Sequence, residues 1–209
     1  MRITEQAKKE NRARIIKAAN ELFTQKGFEE TTTRDIARAS GLAVGTMFNY
    51  FPSKETLAMT MVKDALTRGG VDYLKRRTDQ DGLSEELFLF ITTGLHRLKP
   101  MHRFIGPVLE KSLSPFARKT VCLEGEAARI EHLAIVRQIL ASHGHNMTPD
   151  LVVDNLYWSL YLGILAFWSN DRSPGQVATL ALIDYMLTLF IMMVKSGDGT
   201  CRLEKGDVK

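Results

Sequence analysis

The chain has 209 residues, of which 44% are hydrophobic and 25% charged, and its formal net charge at pH 7 is +4. It contains no uninterrupted apolar run of about 18 residues and starts with the polar sequence MRITEQAKKENR, so we expect no membrane span, no signal peptide and a cytoplasmic location. The two cysteines, Cys122 and Cys201, form no CxxC pair, which argues against a disulfide framework or a structural metal site.

The basic excess lies entirely in the N-terminal third of the chain. Residues 1–70 contain 12 lysines and arginines against 8 acidic residues, whereas residues 71–209 contain 16 of each kind. A basic N-terminal part followed by a neutral body is the arrangement that binding to nucleic-acid phosphates requires. For the charges in residues 8–17, a solvated helix surface is the alternative interpretation.

The first predicted helix spans residues 9–26, because apolar side chains recur there at three- and four-residue spacing. It is expected to end at Gly27, and the polar residues 1–8 before it are predicted to be mobile, with basic side chains such as Lys9 able to reach a phosphate backbone. The apolar positions of this helix are Ala13, Ile16, Ala19, Leu22 and Phe23.

Two short helices joined by a tight turn are predicted next. Thr32 and Asp35 have the spacing of a capping box, which opens the first of them, and Gly41 ends it. The second helix spans about residues 44–51 and ends before Pro52. A pair of this size with a glycine-containing turn is a helix-turn-helix unit, whose second helix enters the major groove of DNA.

The rest of the chain shows helix signals and no strand alternation, so the fold is predicted to be all-α. One long helix is predicted over residues 53–76 and another from residue 84 to Pro100, followed by a short link over residues 104–109. Gly197 is expected to close the last helix before a loose tail at residues 196–209. Three later helices, each opened by a hydroxyl residue followed by proline, are predicted at 116–143 (Ser114-Pro115), 150–169 (Thr148-Pro149) and 175–195 (Ser173-Pro174).

A series of motifs in fixed order runs through residues 8–65. They are Ala19, Leu22, Phe23, Lys26-Gly27-Phe28, Thr32-Thr33, Ile36-Ala37, Gly41, Phe48, Tyr50, Phe51 and Lys54-Glu55. In this series the chain resembles the N-terminal domain of the TetR/AcrR transcriptional regulators. The resemblance implies a three-helix DNA-binding domain at residues 1–53, a larger helical ligand-binding and dimerisation domain at 54–195, and a flexible tail at 196–209.

The resemblance also implies which side chains contact DNA. Positions that commonly touch phosphates in this family are occupied by Thr33, Arg34, Thr46, Tyr50 and Lys54. Positions from which bases are read are occupied by Val44, Gly45 and Asn49. Each has a plainer alternative, since Thr33 can act only as a helix cap, Gly45 can serve packing and Asn49 can simply be exposed. The chain departs from the family pattern at Phe48, where tyrosine is usual, so a phosphate contact from that hydroxyl is lost.

The predicted helix at residues 150–169 is dense in aromatic residues, which suits the wall of an apolar ligand pocket. The candidate lining residues are Phe104, Tyr157, Trp158, Tyr161 and Trp168, with His132 and Asn155 as polar contacts. The alternatives are ordinary core packing and contact with a second subunit. The five histidines have no metal-ligand spacing, and no nucleotide-binding or catalytic motif occurs, so we predict no cofactor and no enzyme activity.

These features favour a ligand-responsive DNA-binding regulator that forms a homodimer through the helices at 150–169 and 175–195. The resemblance implies repression from a palindromic operator that a small molecule relieves. The alternative is a helical small-molecule-binding or scaffold protein without specific DNA readout, in which the N-terminal helices only help to assemble the fold. Salt-dependent binding to DNA separates these two classes of protein.

Overall fold

The computed structural model describes residues 4–113, 122–145 and 151–200, with the side chains of residues 111–113 and 197–200 left aside. Every regular element in these ranges is helical, as the sequence predicts. The α-helices are α1 Glu5–Lys26, α2 Thr33–Ser40, α3 Val44–Tyr50, α4 Lys54–Arg76, α5 Leu83–Leu98, α6 Ile105–Leu113, α7 Leu123–Ser142, α8 Leu151–Asn170 and α9 Val177–Thr200. Short 3-10 helices follow α5 at Lys99–Met101 and precede α9 at Pro174–Gln176.

The first helix begins earlier than predicted. The hydroxyl of Thr4 accepts a hydrogen bond of 3.2 Å from the backbone N–H of Ala7, so α1 begins at Glu5 and the predicted mobile segment covers too many residues. The predicted end is confirmed, because the N–H of Gly27 donates to the Phe23 carbonyl and the chain then turns with φ of 88°. A positive φ at this point favours glycine.

The middle of the chain differs from the prediction in two places. Where a linking segment was expected after Pro100, residues Ile105–Leu113 form α6. The next helix begins at Leu123 and not at residue 116, since Cys122 is outside the helix. The predicted opening at Ser114-Pro115 lies outside the described residues.

The last helix also differs at both ends. Ser173 and Pro174 open a 3-10 turn in which Gly175 and Gln176 have φ of 65° and 58°, and α9 starts only at Val177. At the other end α9 continues through Gly197 to Thr200, so residues 196–200 belong to the helix and not to a loose tail. A single glycine lowers helix propensity without forcing an end. Residues 201–209 and the predicted Thr148-Pro149 opening lie outside the described part of the chain.

The chain forms two compact units, to both of which α4, α5 and α7 contribute residues. The first unit comprises residues 1–71 and 94–131, and the second comprises residues 72–93 and 132–209. In the core of the first unit the ring of Phe23 lies 5.2 Å from the rings of both Phe28 and Phe104. The core of the second unit is richer in polar aromatic side chains, among them Tyr73, His132, Tyr157, Tyr161 and Trp168.

Candidate nucleic-acid interface and buried aromatic cluster

The capping box that opens α2 is present as predicted. The backbone N–H of Asp35 donates to the Thr32 hydroxyl at 3.1 Å, and the Asp35 carboxylate accepts from the backbone N–H of Thr32 at 3.2 Å. Hydrogen bonds from Thr32 hold the pKa of the Asp35 carboxyl below its usual value. The reciprocal bonds fix where α2 begins and so fix the direction in which its first turn points.

The turn between α2 and α3 depends on Gly41. Its backbone is left-handed, with φ of 68° and ψ of 30°, and the N–H of Leu42 returns to the Ala37 carbonyl at 3.0 Å. An added Cβ would lie 2.6 Å from a guanidinium nitrogen of Arg14, which is the end of an exposed, flexible side chain. The left-handed backbone therefore favours glycine here, and the turn sets the angle at which α3 leaves α2.

Helix α3 has one buried face and one exposed face. Met47 is fully buried and Phe51 just beyond the helix is 3% exposed, so these two side chains anchor the helix. On the outer face Val44 is 37% exposed, Asn49 is exposed, and nothing lies within 4 Å of the position that a Cβ on Gly45 would take. The three residues predicted to read bases thus share the free surface of α3.

Phe48 was not among the residues predicted to read bases, but its side chain is 45% exposed on the same helix. Two predicted phosphate-contacting residues of α3, Thr46 and Tyr50, are only half-buried. The hydroxyl of Tyr50 accepts a hydrogen bond of 3.3 Å from the side-chain amide of Asn11 in α1, which holds the phenol ring against the neighbouring helix.

The first turn of α2 carries Thr33 and Arg34, the former half-buried and the latter exposed. Backbone N–H groups in the first turn of a helix lack intrahelical acceptors and favour an anion. Arg34 adds a mobile positive charge there. The geometry of α2 thus suits a phosphate at the position where the sequence predicts one.

Lys54 makes contacts within the protein that the sequence did not predict. Its ammonium donates hydrogen bonds to the carbonyl oxygens of Phe28, Glu29 and Thr31 at 2.8, 3.0 and 3.1 Å, and it lies 4.6 Å from the centre of the Phe28 ring. An ammonium group has three N–H donors, so all of them are used within the protein. Lys54 thus acts as a clamp that fastens the start of α4 to the segment between α1 and α2. Its predicted phosphate contact stays a prediction.

The second unit contains a buried cluster centred on His132 of α7. The imidazole centre lies 4.1 Å from the Tyr161 ring and 4.6 Å from the Phe90 ring, and its Nε2 is 3.1 Å from the hydroxyl oxygen of Tyr157. Trp158 meets the same imidazole edge-on at 5.8 Å. Four of the seven predicted ligand-contacting residues, His132, Tyr157, Trp158 and Tyr161, are therefore brought together.

Burial dominates the electrostatics of this aromatic cluster. It lowers the pKa of His132 to about 3 and raises the pKa values of Tyr157 and Tyr161, so the cluster is uncharged near neutral pH. The Tyr161 hydroxyl is buried and has no hydrogen-bond partner among the described residues. A buried polar atom without a partner is costly, and a ligand that offered one would remove that cost.

The other three predicted ligand-contacting residues lie elsewhere. Phe104 belongs to the core of the first unit, where it packs on Phe23. Asn155 is exposed on α8 and its amide donates to the Leu151 carbonyl one turn earlier at 2.6 Å. Trp168 is buried in the second unit, and its indole N–H donates to the Gln176 side chain at 3.1 Å. Helical spacing does not reveal which face of a helix meets its neighbours, so the sequence could not separate these residues from the cluster.

The second unit also contains a buried acidic residue, Glu86, that the sequence analysis did not single out. Its carboxylate is nearly fully buried, accepts a short hydrogen bond from the Tyr73 hydroxyl, and lies 3.3 Å from Arg77 Nε and 2.7 Å from His143 Nε2. Burial and the Glu86 carboxylate together raise the pKa of Tyr73. Among the described residues no group of histidine, cysteine or acidic side chains could hold a metal ion.

Helices α8 and α9 expose many large apolar side chains. The most exposed are Leu151, Val152, Phe167, Val177, Tyr185, Leu189 and Met192, each at least 44% exposed. By length and mean hydropathy alone, α8 and residues 174–196 could also cross a membrane. Neither contains an uninterrupted apolar run of about 18 residues. Membrane spans, partly buried core helices and subunit interfaces all satisfy this test of length and hydropathy.

Sequence comparison matches two successive parts of the chain to family models. Residues 15–59 match the model described as "Bacterial regulatory proteins, tetR family", and residues 86–202 match "Tetracyclin repressor-like, C-terminal domain". The first match contains α2, α3 and the turn between them, and the second contains the aromatic cluster.

Curated relatives agree with these matches. The chain is 41% identical over 182 residues to the uncharacterized HTH-type transcriptional regulator YuxN of Bacillus subtilis (strain 168), an alignment that covers 83% of this chain and 61% of YuxN. It is 36% identical over 100 residues to the HTH-type transcriptional repressor KstR2 of Rhodococcus jostii (strain RHA1), covering 46% of this chain and 47% of KstR2. The chain thus spans less than two thirds of the length of these curated relatives.

Solved structures share the fold. A TetR transcriptional regulator from Rhodococcus sp. RHA1 superposes with a TM-score of 0.63 at 22% identity, covering 88% of this chain and 97% of that one. Thermus thermophilus FadR, a repressor solved in complex with lauroyl-CoA, gives a TM-score of 0.62 at 22% identity, covering 90% and 95%. At these identities the likeness concerns the fold.

Proposed function

The chain belongs to the tetR family of bacterial regulatory proteins, and on that premise we propose that it is a ligand-responsive repressor that binds a palindromic operator as a homodimer. The surface of α3 carries this proposal. Val44, Gly45 and Asn49 face outward while Met47 is fully buried, so the helix is anchored on one side and free to enter a groove on the other. A scaffold without DNA readout would have no need for this free face.

In this proposal, residues of α3 read the bases and residues at the start of α2 contact phosphates. Asn49 can both donate to and accept from an adenine edge, and Val44 can contact a thymine methyl group. Thr33 and Arg34 supply the phosphate contacts that fix the orientation of α3 without reading sequence. Tyr50, held by Asn11, supports a phosphate contact at the other end of the same surface.

The experiment that tests this proposal is selection of genomic fragments with the purified protein, followed by titration of the selected site at several salt concentrations. Arg34→Ala should weaken binding to all sequences alike and flatten the salt slope by about one unit. Asn49→Ala should instead change the sequence preference. Binding by both variants that matches the wild type would show that the reading surface lies elsewhere, and no selected site at all would favour the scaffold alternative.

A homodimer closed by α8 and α9 accounts for their exposed apolar side chains. Leu189 and Met192 are 48% and 60% exposed on α9, and Phe167 is 44% exposed on α8. A helix that is apolar on nearly every side needs cover on every side, and a two-fold interface provides it with the same surface from each subunit. Symmetry then requires half-sites about one helical turn of DNA apart, or slightly more.

The effector in this proposal is a mostly apolar small molecule that enters the second unit beside His132 and Tyr161. Its polar group would satisfy the buried Tyr161 hydroxyl, which has no partner in the described structure. Helix α4 contributes residues to both units, and in this proposal it carries the effect of the ligand to α2 and α3. A preference of about 1–3 kcal/mol for the displaced state changes operator affinity roughly 5- to 150-fold.

Tryptophan emission can report on this effector directly, because Trp158 lies against His132. A panel of apolar compounds should contain one that quenches this emission and releases operator DNA over the same concentration range. Linkage requires DNA to weaken binding of that compound by the same factor. A compound that bound the second unit without changing operator affinity would not be the inducer.

A further inference from the structure

A groove of about 660 Å³ in the first unit has no part in the function proposed above. It runs between α1, α4 and the end of α5 with the 3-10 turn that follows. The volume is within the range of roughly 300–1,000 Å³ that is usual for sites that hold small molecules. Its lining residues are Lys9, Arg12, Ala13, Ile16, Lys17, Asn20, Met61, Asp64, Ala65, Arg68, His96, Arg97, Pro100 and Met101.

The floor of the groove is apolar and fixed. Met61, Ala65 and Met101 are 7%, 8% and 6% exposed and belong to the core of the first unit. From α1 the less buried side chains of Ala13 and Ile16 complete the floor. An apolar body that settled on this floor would gain about 25 cal/mol for each Å² removed from water.

The rim of the groove is strongly basic. Five lysine and arginine side chains face a single carboxylate, that of Asp64, which lies 3.8 Å from Arg12. Lys17 and Arg68 are exposed on opposite walls, on α1 and α4. A concave surface lined by one sign of charge concentrates ions of the other sign, and guanidinium groups bind carboxylate and phosphate oxygens in pairs.

We propose that this groove is a second small-molecule site, which binds an amphiphile with an anionic head and an apolar body. The rim selects the carboxylate or phosphate head, and the floor takes the body. The site is distinct from the aromatic cluster, since all of its lining residues belong to the first unit. It does not depend on the operator or the inducer of the proposed function.

The test uses the full chain with four probes that share one ten-carbon body: decanoate, decyl phosphate, decanol and decyltrimethylammonium, each below its micelle concentration. Calorimetry measures affinity, and methionine-methyl NMR locates the site. We expect decanoate and decyl phosphate to bind and to shift the methyl signals of Met61 and Met101. The signal of Met192, exposed on α9, serves as the internal reference. The ratio of the two affinities distinguishes a carboxylate site from a phosphate site.

Two variants connect binding to the groove. Lys17→Gln combined with Arg68→Gln should weaken decanoate roughly 5- to 30-fold, and Ala13→Leu should weaken it by filling the floor. Arg103→Gln, which removes an exposed charge outside the groove, should leave affinity unchanged. Ala13 is exposed on a helix that accepts leucine readily, so a folding defect is not expected.

Three results would overturn the proposal: equal affinity for the cationic or neutral probe, methyl shifts confined to methionines outside the groove, or unchanged decanoate affinity in both groove variants. If decanoate bound neither the wild type nor the variant, and the Lys17→Gln and Arg68→Gln pair flattened the salt slope of DNA binding, the proposal would also be overturned and the rim would be a phosphate-backbone contact. Loss of operator binding with decanoate binding intact would reject the proposed function and leave the groove site standing.

Discussion

The Nζ atom of Lys54 lies 4.6 Å from the centre of the Phe28 ring while it donates a 2.8 Å hydrogen bond to the carbonyl oxygen of the same residue. One side chain at the start of α4 thus holds both the ring and the backbone of the segment between α1 and α2. Charged hydrogen bonds of this kind contribute more than neutral ones. The clamp fixes the segment from which α2 begins.

Lys54→Ala is therefore expected to lower the free energy of unfolding by about 1–2 kcal/mol, because three carbonyl groups lose a charged donor. Urea titration followed by circular dichroism measures this change. Arg34→Ala, at an exposed residue, should leave stability within about 0.5 kcal/mol of wild type. If Lys54→Ala were as stable as wild type but had a smaller salt slope of DNA binding, Lys54 would contact a phosphate and would not stabilise the fold.

Phe48 is predicted to contact a thymine methyl group. Its ring is exposed on the groove face of α3, and phenylalanine has no hydroxyl with which to reach a phosphate. Replacing the contacted thymine by deoxyuracil removes one methyl group and should weaken binding roughly fourfold, or about 0.8 kcal/mol. Phe48→Ala should bind the two operators equally. Competition titrations with operators substituted at one thymine at a time would show whether any position behaves in this way.

Acid is expected to destabilise the protein through His132. Its folded pKa of about 3 lies below the unfolded value of about 6.5, so only the unfolded state takes up the proton as pH falls through this window. Stability is unaffected above pH 6.5 and falls by up to about 1.4 kcal/mol per pH unit below it.

The variant His132→Phe provides the comparison for this pH effect. It loses the contact with Tyr157 and should be less stable than wild type at pH 7. At pH 5 this difference in free energy of unfolding should be smaller by about 2 kcal/mol, because phenylalanine takes up no proton when the variant unfolds. If the free energies of unfolding of wild type and His132→Phe differed by the same amount at pH 7 and pH 5, His132 would be accessible to protons in the folded state.

Tyr161→Phe should stabilise the ligand-free protein by about 1 kcal/mol, because it removes a buried hydroxyl that has no partner. Thermal unfolding measures the change. The matched variant Tyr157→Phe should destabilise, since the Tyr157 hydroxyl pairs with His132. If Tyr161→Phe were as destabilising as Tyr157→Phe, an ordered water molecule would have to be the missing partner.

The dimer proposal predicts a change in molar mass. Leu189→Glu with Met192→Glu places two charges on the exposed face of α9 and should lower the mass measured by light scattering from twice 23.5 kDa to 23.5 kDa. Leu74→Glu, at a side chain 59% exposed on α4, should leave the mass unchanged. A wild-type protein that measured 23.5 kDa at micromolar concentration would contradict the proposal.

The helix-turn-helix was predictable because local signals specify it. Thr32, Asp35 and Gly41 act through bonds to residues at most four positions away, and their effects on φ and ψ do not depend on the rest of the fold. The residues on the exposed face of α3 were named from the family resemblance and not from these local signals. In this part of the chain sequence and structure agree to within one residue.

Features that depend on contacts between distant residues were not predictable. The resemblance implied a phosphate contact for Lys54 but not its hydrogen bonds within the protein, because their acceptors lie 23 to 26 positions earlier in the chain. The burial of Glu86 was not predicted, since it depends on Tyr73 and His143, which come from other helices or loops. Phe104 was predicted to line the ligand pocket. Its aromatic side chain indicates burial, but the sequence does not show which of the two cores it joins.

The packing of Phe23 on Phe104 joins residues 81 positions apart in one core. A ribosome adds about 5–20 residues each second, so Phe23 of α1 is synthesised roughly 4–16 seconds before Phe104, which covers its ring. Until α6 leaves the exit tunnel, Phe23 lacks one of its two ring partners. The part of the protein made first therefore completes its folding late, and truncated chains that end before α6 are expected to be substrates for chaperones and proteases.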